Sequence, residues 1–349
     1  MERRKTRQVL VGGVPVGGAA PISVQSMLNA EAHDFDGNLR QLRQLEEAGC
    51  EIIRMAVPDA DAVPVFGKLK EHAKIPLVAD IHFDYRLALE CVRAGADKIR
   101  INPGNIGGAD RVAAVADACG QRHIPIRIGV NSGSLEKDLL AKYGGATAEA
   151  LSESAFRHVK LLEDVGFTDI VLSLKSSDVP TMVRAYRLVA EQCDYPLHLG
   201  VTEAGTERAA LVKSAVGIGA LLLDGVGDTV RVSVTGDPVR EIYAAKDILK
   251  ALDLRVETPQ IVSCPTCGRT KIDLVSLAEQ VEDAVKDIRK PLKIAVMGCV
   301  VNGPGEAREA DIGVAGGDGC GVIFKKDTIL KKVPEEEIVS ALLAEIQKL

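Results

Sequence analysis

The 349-residue sequence has no tryptophan, and aromatic residues make up only 3% of it, so its core must be built from Val, Ile, Leu and Ala. It lacks the excess of basic residues that general nucleic-acid binding needs: 43 Lys and Arg face 49 Asp and Glu, a net charge of −6. No apolar run approaches the roughly 20 residues of a membrane span. The opening segment MERRKTRQVLVGGVPVGG lacks the apolar core of about 7–15 residues that defines a signal peptide. Eight cysteines are too few for a disulfide scaffold of this size. These absences leave a cytoplasmic α/β protein with no membrane or nucleic-acid partner. Its length suits one domain of about 250 residues and a second of about 100.

Short β-branched runs alternate with amphipathic helical stretches over the first 255 residues. Predicted strands are 22–27, 51–57, 76–83, 98–102, 125–131, 169–175, 196–203 and the pair ALLLDGV and TVRVSVTG within 220–236. Helices are predicted at 35–49, 85–95, 110–120 and 147–166, and the VGGVPVGG segment reads as a small hairpin. The junctions EEAGCEIIR, VRAGADKIR and EDVGFTDIVL repeat one pattern, a helix closed by Gly and followed by a strand. Such a series fits a (β/α)8 barrel or a doubly wound sheet. No GxGxxG or P-loop follows the first strand, so the TIM-type barrel is favoured for residues 1–255. A smaller α+β domain is expected at 256–349.

A barrel concentrates its chemistry at the carboxyl ends of its strands. Those ends carry Gln25 and Met27, Arg54, Asp80 and His82, Arg100 and Asn102, Arg127 and Asn131, Lys175, Glu203, Arg231 and Ser233. Five of them are cations, and five cations in one half-buried mouth repel each other unless an anion compensates. Arginine forks match phosphate oxygens, so the mouth reads as a phosphate or diphosphate site. Asp80 and Glu203 are the acids able to pass a proton to a bound substrate. His82, two residues beyond Asp80, is expected on the same side of the strand.

Four of the eight cysteines, Cys50, Cys91, Cys119 and Cys193, stand singly and read as small buried apolar residues. The other four fall in the last 90 residues or so. Cys264 and Cys267 form a Cys-x2-Cys turn, and Cys299 is expected at the end of the strand 292–303. A thiol redox pair would leave Cys299 idle. Zinc would need Cys320 as a fourth thiolate, because no histidine follows His198. An iron–sulfur cluster could use the three cysteines with Glu306 or with Cys320, and spacing favours it without excluding zinc.

The segments VQSM (24–27), IIRMAVP (52–58), VADIHF (78–83), KIRINPGN (98–105), IRIGVNSGSL (126–135), SLKSSD (173–178), HLGVTEAG (198–205), SCPTCGR (263–269) and MGCVVNGPGEA (297–307) occur in one order over nearly the full chain. In this the chain resembles the 4-hydroxy-3-methylbut-2-enyl diphosphate synthase family, in its shorter two-domain bacterial form. The resemblance implies a [4Fe–4S] cluster on Cys264, Cys267, Cys299 and Glu306, with Cys320 structural. It implies reductive ring opening of 2-C-methyl-D-erythritol 2,4-cyclodiphosphate, with electrons from flavodoxin or ferredoxin. Arg54, Arg127, Asn131, Lys175, Arg231 and Ser233 would then clamp the diphosphate, assisted by Arg100 and Asn102. Glu203 would be the proton donor, supported by Asp80 and His82, and a head-to-tail homodimer would bring cluster and barrel together.

Two rival readings use the same residues. One is a phosphate-binding barrel aldolase, isomerase or pterin-type synthase with a structural zinc domain, in which Lys175 suits a Schiff base. The other is an iron–sulfur electron carrier or sensor, which would have no use for a basic mouth.

Overall fold

A computed structural model describes residues 2–299, 309–326 and 328–349 of the chain. The chain divides into two compact units, Met1–Leu252 and Asp253–Leu349. None of the helices among the described residues is long and apolar enough to cross a membrane.

The first unit opens with an antiparallel hairpin, β1 (Gln8–Val11) and β2 (Val14–Gly17). Its turn needs glycine: Gly12 and Gly13 have φ of +50° and +93°, and a Cβ on Gly12 would lie 2.5 Å from Asp97 Oδ1. Eight strands follow: β3 (Ser23–Met27), β4 (Ile52–Ala56), β5 (Leu77–Asp80), β6 (Lys98–Ile101), β7 (Ile126–Asn131), β8 (Ile170–Lys175), β9 (His198–Leu199) and β10 (Thr229–Val230). They pair in the order β8-β7-β6-β5-β4-β3-β10-β9, all parallel. A bridge between Leu172 and Leu197 joins the two ends, with Leu172 N–H donating to Pro196 O at 2.9 Å. The result is the TIM-type barrel.

The hairpin decides which end is open. Val9, Val11 and Val16 pack against Ile52, Val78 and Val171, which lie near the starts of β4, β5 and β8. The amino-terminal end is thereby filled with apolar side chains, and the polar residues collect at the other end. Side chains two apart on a strand share a face. Ile52 and Arg54, Val78 and Asp80, and Val171, Ser173 and Lys175 therefore run from the plug to the mouth.

Local signals agree with the architecture. Asp34, Asp84, Asn102, Thr147, Asp178 and Asp237 each accept a hydrogen bond from a first-turn N–H of the helix that follows. Each such cap stabilises its helix by about 1 kcal/mol. The repeated helix–glycine–strand junction has a conformational cause: Gly49, Gly95 and Gly166 have φ of +82°, +93° and +77°.

One expected strand is absent and two are shortened. ALLLDGV is not a strand; its apolar residues end the helix Glu207–Leu223, where Leu221 and Leu222 are buried. A short apolar run has no periodicity of its own to separate helix from strand. The strands expected over 196–203 and 229–236 shrink to two residues each. Here the backbones crowd, since a Cβ on Gly200 would lie 2.8 Å from Arg231 O, and the ladder stops.

The second unit is a five-stranded sheet in sequence order: β11 (Gln260–Ser263), β12 (Lys293–Met297), β13 (Ile312–Gly317), β14 (Cys320–Lys325) and β15 (Thr328–Pro334). The first three strands are parallel and the last two antiparallel. The helices Leu274–Val285 and Ile338–Ile346 bury Leu277, Val281, Ile338 and Leu342 against Ile294, Val296, Val314 and Ile323. This is the α+β fold expected, with a shorter second strand: Cys299 lies two residues beyond β12 rather than at its end.

Candidate active site

The barrel mouth is built from charges that the strands aim inward. Asp80 is 2% exposed and sits between two arginines. Its Oδ1 accepts from Arg100 Nη1 at 3.0 Å, and its Oδ2 is 3.4 Å from Arg54 Nε. Burial alone would raise the Asp80 carboxyl, but Arg54, Arg100 and Lys175 hold it well below the usual carboxylate range. It is a fixed counter-ion, which argues against the proton-donor support expected of it. Arg100 crosses the barrel over β7, where its Nη2 reaches Gly129 O at 3.3 Å and Asn131 Oδ1 at 3.4 Å. That path requires glycine, because a Cβ on Gly129 would lie 2.5 Å from Arg100 Nε.

Arg127 is fully buried and its side chain makes one hydrogen bond, from Nη1 to Ser173 Oγ at 3.0 Å; its Nε and Nη2 have no partner among the described residues. Among the described residues no carboxylate lies within ion-pair distance of Arg127 or Lys175. Burial, followed by Arg54, Arg100 and Arg127, pushes the Lys175 amine well down. Arg54 is pushed down to about 10 by burial, and by Arg231 and Arg100 in opposition to Asp80. Arg231 forms a fork on Glu241, with Nε to Oε2 at 3.0 Å and Nη2 to Oε1 at 2.9 Å. Arg54, Ser173, Lys175, His198, Arg231 and Ser233 line a cavity of about 60 Å³ that opens to solvent.

The remaining expected residues are less uniform. Asn131 meets Arg100, whereas Asn102 is used locally: it caps the helix Pro103–Ile106 and its Nδ2 donates to Ser134 Oγ at 3.3 Å. His82 is not on the strand beside Asp80. β5 ends at Asp80, and the exposed imidazole stands in the following loop beside Phe83. Glu203 lies on an exposed loop rather than a strand, next to Thr202 of the cavity wall, with φ of +53°. A non-glycine residue held there is strained by about 1–3 kcal/mol, a feature that clusters at functional loops.

Sequence reasoning missed Lys98, His198 and Glu241. Lys98 Nζ and His198 Nδ1 are buried without partners, and burial with Arg127 nearby keeps both groups well below their ordinary pKa. Alternation could have found Lys98, which sits two residues before Arg100 on the same face. Glu241 comes from the helix Pro238–Ala251 and had no comparable signal.

In the second unit, Cys264 directly follows β11 and Cys299 follows the neighbouring parallel strand. Gly298 N–H donates to Cys264 Sγ at 3.2 Å. Cys267 is exposed on the Pro/Gly turn, its thiol pushed down by hydrogen bonds from the Arg269 backbone and side chain. Among the described residues no three Cys, His, Asp or Glu side chains are grouped as a metal site, and Glu306 lies outside those residues. Cys320 begins β14 opposite Gly317, at the same sheet end as Cys299. The donor set nevertheless fits an iron–sulfur cluster: two soft sulfurs on adjacent strand ends, an accessible third, and a backbone N–H directed at sulfur. The single cysteines behave as expected where buried; burial pushes Cys50, Cys91 and Cys119 up to about 12, while Cys193 is only partly covered.

Fold and site together define a TIM-type barrel with a cationic mouth and a cysteine-bearing α+β unit. Residues 6–246 match the GcpE TIM-barrel domain and residues 260–348 the GcpE protein C-terminal domain, so the chain belongs to the GcpE family. Relatives from several bacteria carry the name 4-hydroxy-3-methylbut-2-en-1-yl diphosphate synthase (flavodoxin). That of Ruminiclostridium cellulolyticum is 55% identical over 349 residues, covering 100% of this chain and 99% of the relative. That of Caldanaerobacter subterraneus subsp. tengcongensis is 58% identical over 347 residues, covering 99% and 98%. Among solved structures, dihydropteroate synthase of Yersinia pestis matches with a TM-score of 0.51 at 16% identity, over 71% of this chain and 99% of that one. At that identity the likeness is one of fold alone.

Proposed function

We propose that this chain is an iron–sulfur oxidoreductase that converts 2-C-methyl-D-erythritol 2,4-cyclodiphosphate to (E)-4-hydroxy-3-methylbut-2-enyl diphosphate, a step of isoprenoid biosynthesis. The observation that carries this reading is the charge imbalance of the mouth. Among the described residues neither the buried Arg127 nor the half-buried Lys175 has a carboxylate within ion-pair distance, and a diphosphate supplies the missing negative charge. The enzyme name shared by relatives that align over the whole chain supports the particular reaction.

In this reading Arg127, Lys175 and Arg231 clamp the diphosphate, with Arg54 and Arg100 held at the mouth by Asp80. Ser233 and Asn131 add hydrogen bonds, and Asn102 fixes the loop beside them. The reaction breaks the ring bond at the tertiary carbon and removes one hydroxyl as water, consuming two electrons. Glu203 delivers the proton to the departing hydroxyl; its exposed, strained position beside the cavity suits a group that must approach the substrate. His82, in the loop beyond Asp80, flanks the same mouth.

Cys264, Cys267, Cys299 and Glu306 would hold a [4Fe–4S] cluster, which would supply the two electrons one at a time. Flavodoxin is the donor in the relatives' names, with ferredoxin the alternative. The setting is the cytoplasm, and the working form is a homodimer. Leu211, Val212, Val216 and Leu223, exposed on the helix Glu207–Leu223, support a second copy. The test is anaerobic purification followed by incubation with the cyclic diphosphate and reduced flavodoxin. Brown protein with about four irons per chain and formation of the allylic diphosphate are expected. Colourless protein holding one zinc, with no turnover, would overturn the proposal. Full turnover in Glu203→Gln would remove Glu203 as the proton donor.

A further inference from the structure

Glu241 does not line the cavity, yet it is 2% exposed and accepts four hydrogen bonds, all from groups that shape the mouth. Two come from the Arg231 fork. A third comes from Ser26 Oγ at 2.7 Å, on the strand that also carries Met27. The fourth comes from Val234 N–H at 3.1 Å, the residue after Ser233. The carboxylate therefore ties strand β3, the exit of β10 and the loop that presents Ser233.

The fork uses the Nε and Nη2 edge of Arg231. Nη1 has only a 3.7 Å hydrogen bond to Met27 Sδ, and Arg231 is part of the cavity lining. β10 is only two residues long; backbone bonds hold Arg231 N–H to Leu199 O and Thr235 N–H to Gly205 O, both at 2.9 Å, and Ser233 and Val234 between them lie outside any strand. Between those bonds the carboxylate of Glu241, the fourth residue of the helix Pro238–Ala251, holds the chain at Val234 N–H.

We infer that Glu241 is a positioning residue that sets the direction of Arg231 and the place of Ser233 for the diphosphate. The inference rests on the proposed role of Arg231 as a diphosphate clamp. It makes a prediction opposite in sign to simple charge counting. Removing a negative charge makes the mouth more positive and, by Coulomb attraction alone, should tighten binding of a polyanion. Loss of orientation should weaken it.

The experiment is calorimetric titration of the anaerobic holoenzyme with the cyclic diphosphate, together with steady-state kinetics, for wild type, Glu241→Gln, Arg231→Ala and the double variant. Glu241→Gln is expected to weaken binding by about tenfold or more, the scale of one oriented charge-assisted contact. KM should rise by the same factor with kcat little changed, the pattern of lost uniform binding. In the Arg231→Ala background the same substitution should add almost nothing, because its effect passes through Arg231. Tighter or unchanged binding in Glu241→Gln, or additive losses in the double variant, would overturn the inference. Unchanged affinity in Arg231→Ala alone would instead show that the clamp reading itself fails, and the inference with it. Should Glu241→Gln not fold, Glu241→Asp keeps the charge but withdraws it by one methylene, and the same weakening is expected.

Discussion

Replacing Arg127 by methionine should make the substrate-free protein more stable and the diphosphate complex weaker. Arg127 is fully buried, its Nε and Nη2 have no acceptor, and Arg54 and Arg100 add like charge nearby. Its one hydrogen bond is to Ser173 Oγ, which itself still donates to Ile128 O at 3.2 Å after the substitution. Methionine is unbranched and adaptable enough to fill the same channel. Exchanging a buried charge for a packed apolar side chain typically stabilises by about 1–4 kcal/mol when no good partner is lost. In a unit of this size each kcal/mol moves the melting temperature by about 2–4 °C, so a rise of roughly 2–15 °C is expected. Binding should suffer the reverse, by about 2–5 kcal/mol, as for truncation of one partner of a desolvated charge pair. With no tryptophan in the chain, far-UV circular dichroism is the natural probe of unfolding, alongside titration with the cyclic diphosphate. A lower melting temperature in the substrate-free variant, or an unchanged affinity, would refute the claim that Arg127 awaits an anion.

Three further outcomes follow from the same charges and from the second unit. Asp80→Asn should destabilise the substrate-free protein by about 3–5 kcal/mol, since Arg54 and Arg100 lose their shared counter-ion. The Asp80 carboxyl is held low, so its contribution is present above an unfolded-state pKa of about 4 and lost as pH falls through the lower folded value. The gap between wild type and variant in urea melts should therefore be wide at pH 7 and narrow on acidification; a gap independent of pH would contradict this. Lys175, held below its ordinary pKa by burial and three arginines, should take up protons when the diphosphate arrives. Calorimetric binding enthalpies in buffers of different ionisation enthalpy should differ, less so in Lys175→Met, and identical values would exclude the uptake. Glu306→Ala should lower iron content or destabilise the cluster, whereas Cys320→Ala should retain it; the converse, read by iron analysis and EPR, would exchange the two residues' roles.

The cationic mouth was legible because strand termini are visible where an apolar run meets a charge. Arg54, Arg100, Arg127 and Lys175 all lie on their predicted strands, and alternation decides which way each points. The helix–glycine junctions were legible because only a left-handed residue fits there. His82 and Glu203 were misplaced for a common reason: β-rich residues continue past the point where hydrogen-bonded partners run out, and the ladder length is set by neighbouring strands. Glu241 was invisible because its partners, Ser26 and Arg231, are 215 and 10 residues away, so only the closed barrel brings them together.

The barrel's charge arrangement also shows why the site can persist before substrate binds. Asp80 holds Arg54 and Arg100, and Glu241 holds Arg231. Further inside, Ser23, Thr229 and His198 are direct neighbours across β3, β10 and β9, each with a buried polar atom lacking a partner. Lys98 and His198 are both pushed toward their neutral forms by burial and by nearby cations. Neutralising them relieves repulsion at the cost of unmade hydrogen bonds, typically about 1–3 kcal/mol each. A barrel selected for stability alone would fill that interior with Val, Ile and Leu, as it does at the hairpin end with Ile52, Val78 and Val171. The contrast between a plugged apolar end and an under-compensated cationic end is thus the physical signature of a scaffold whose interior charge is completed by its ligand.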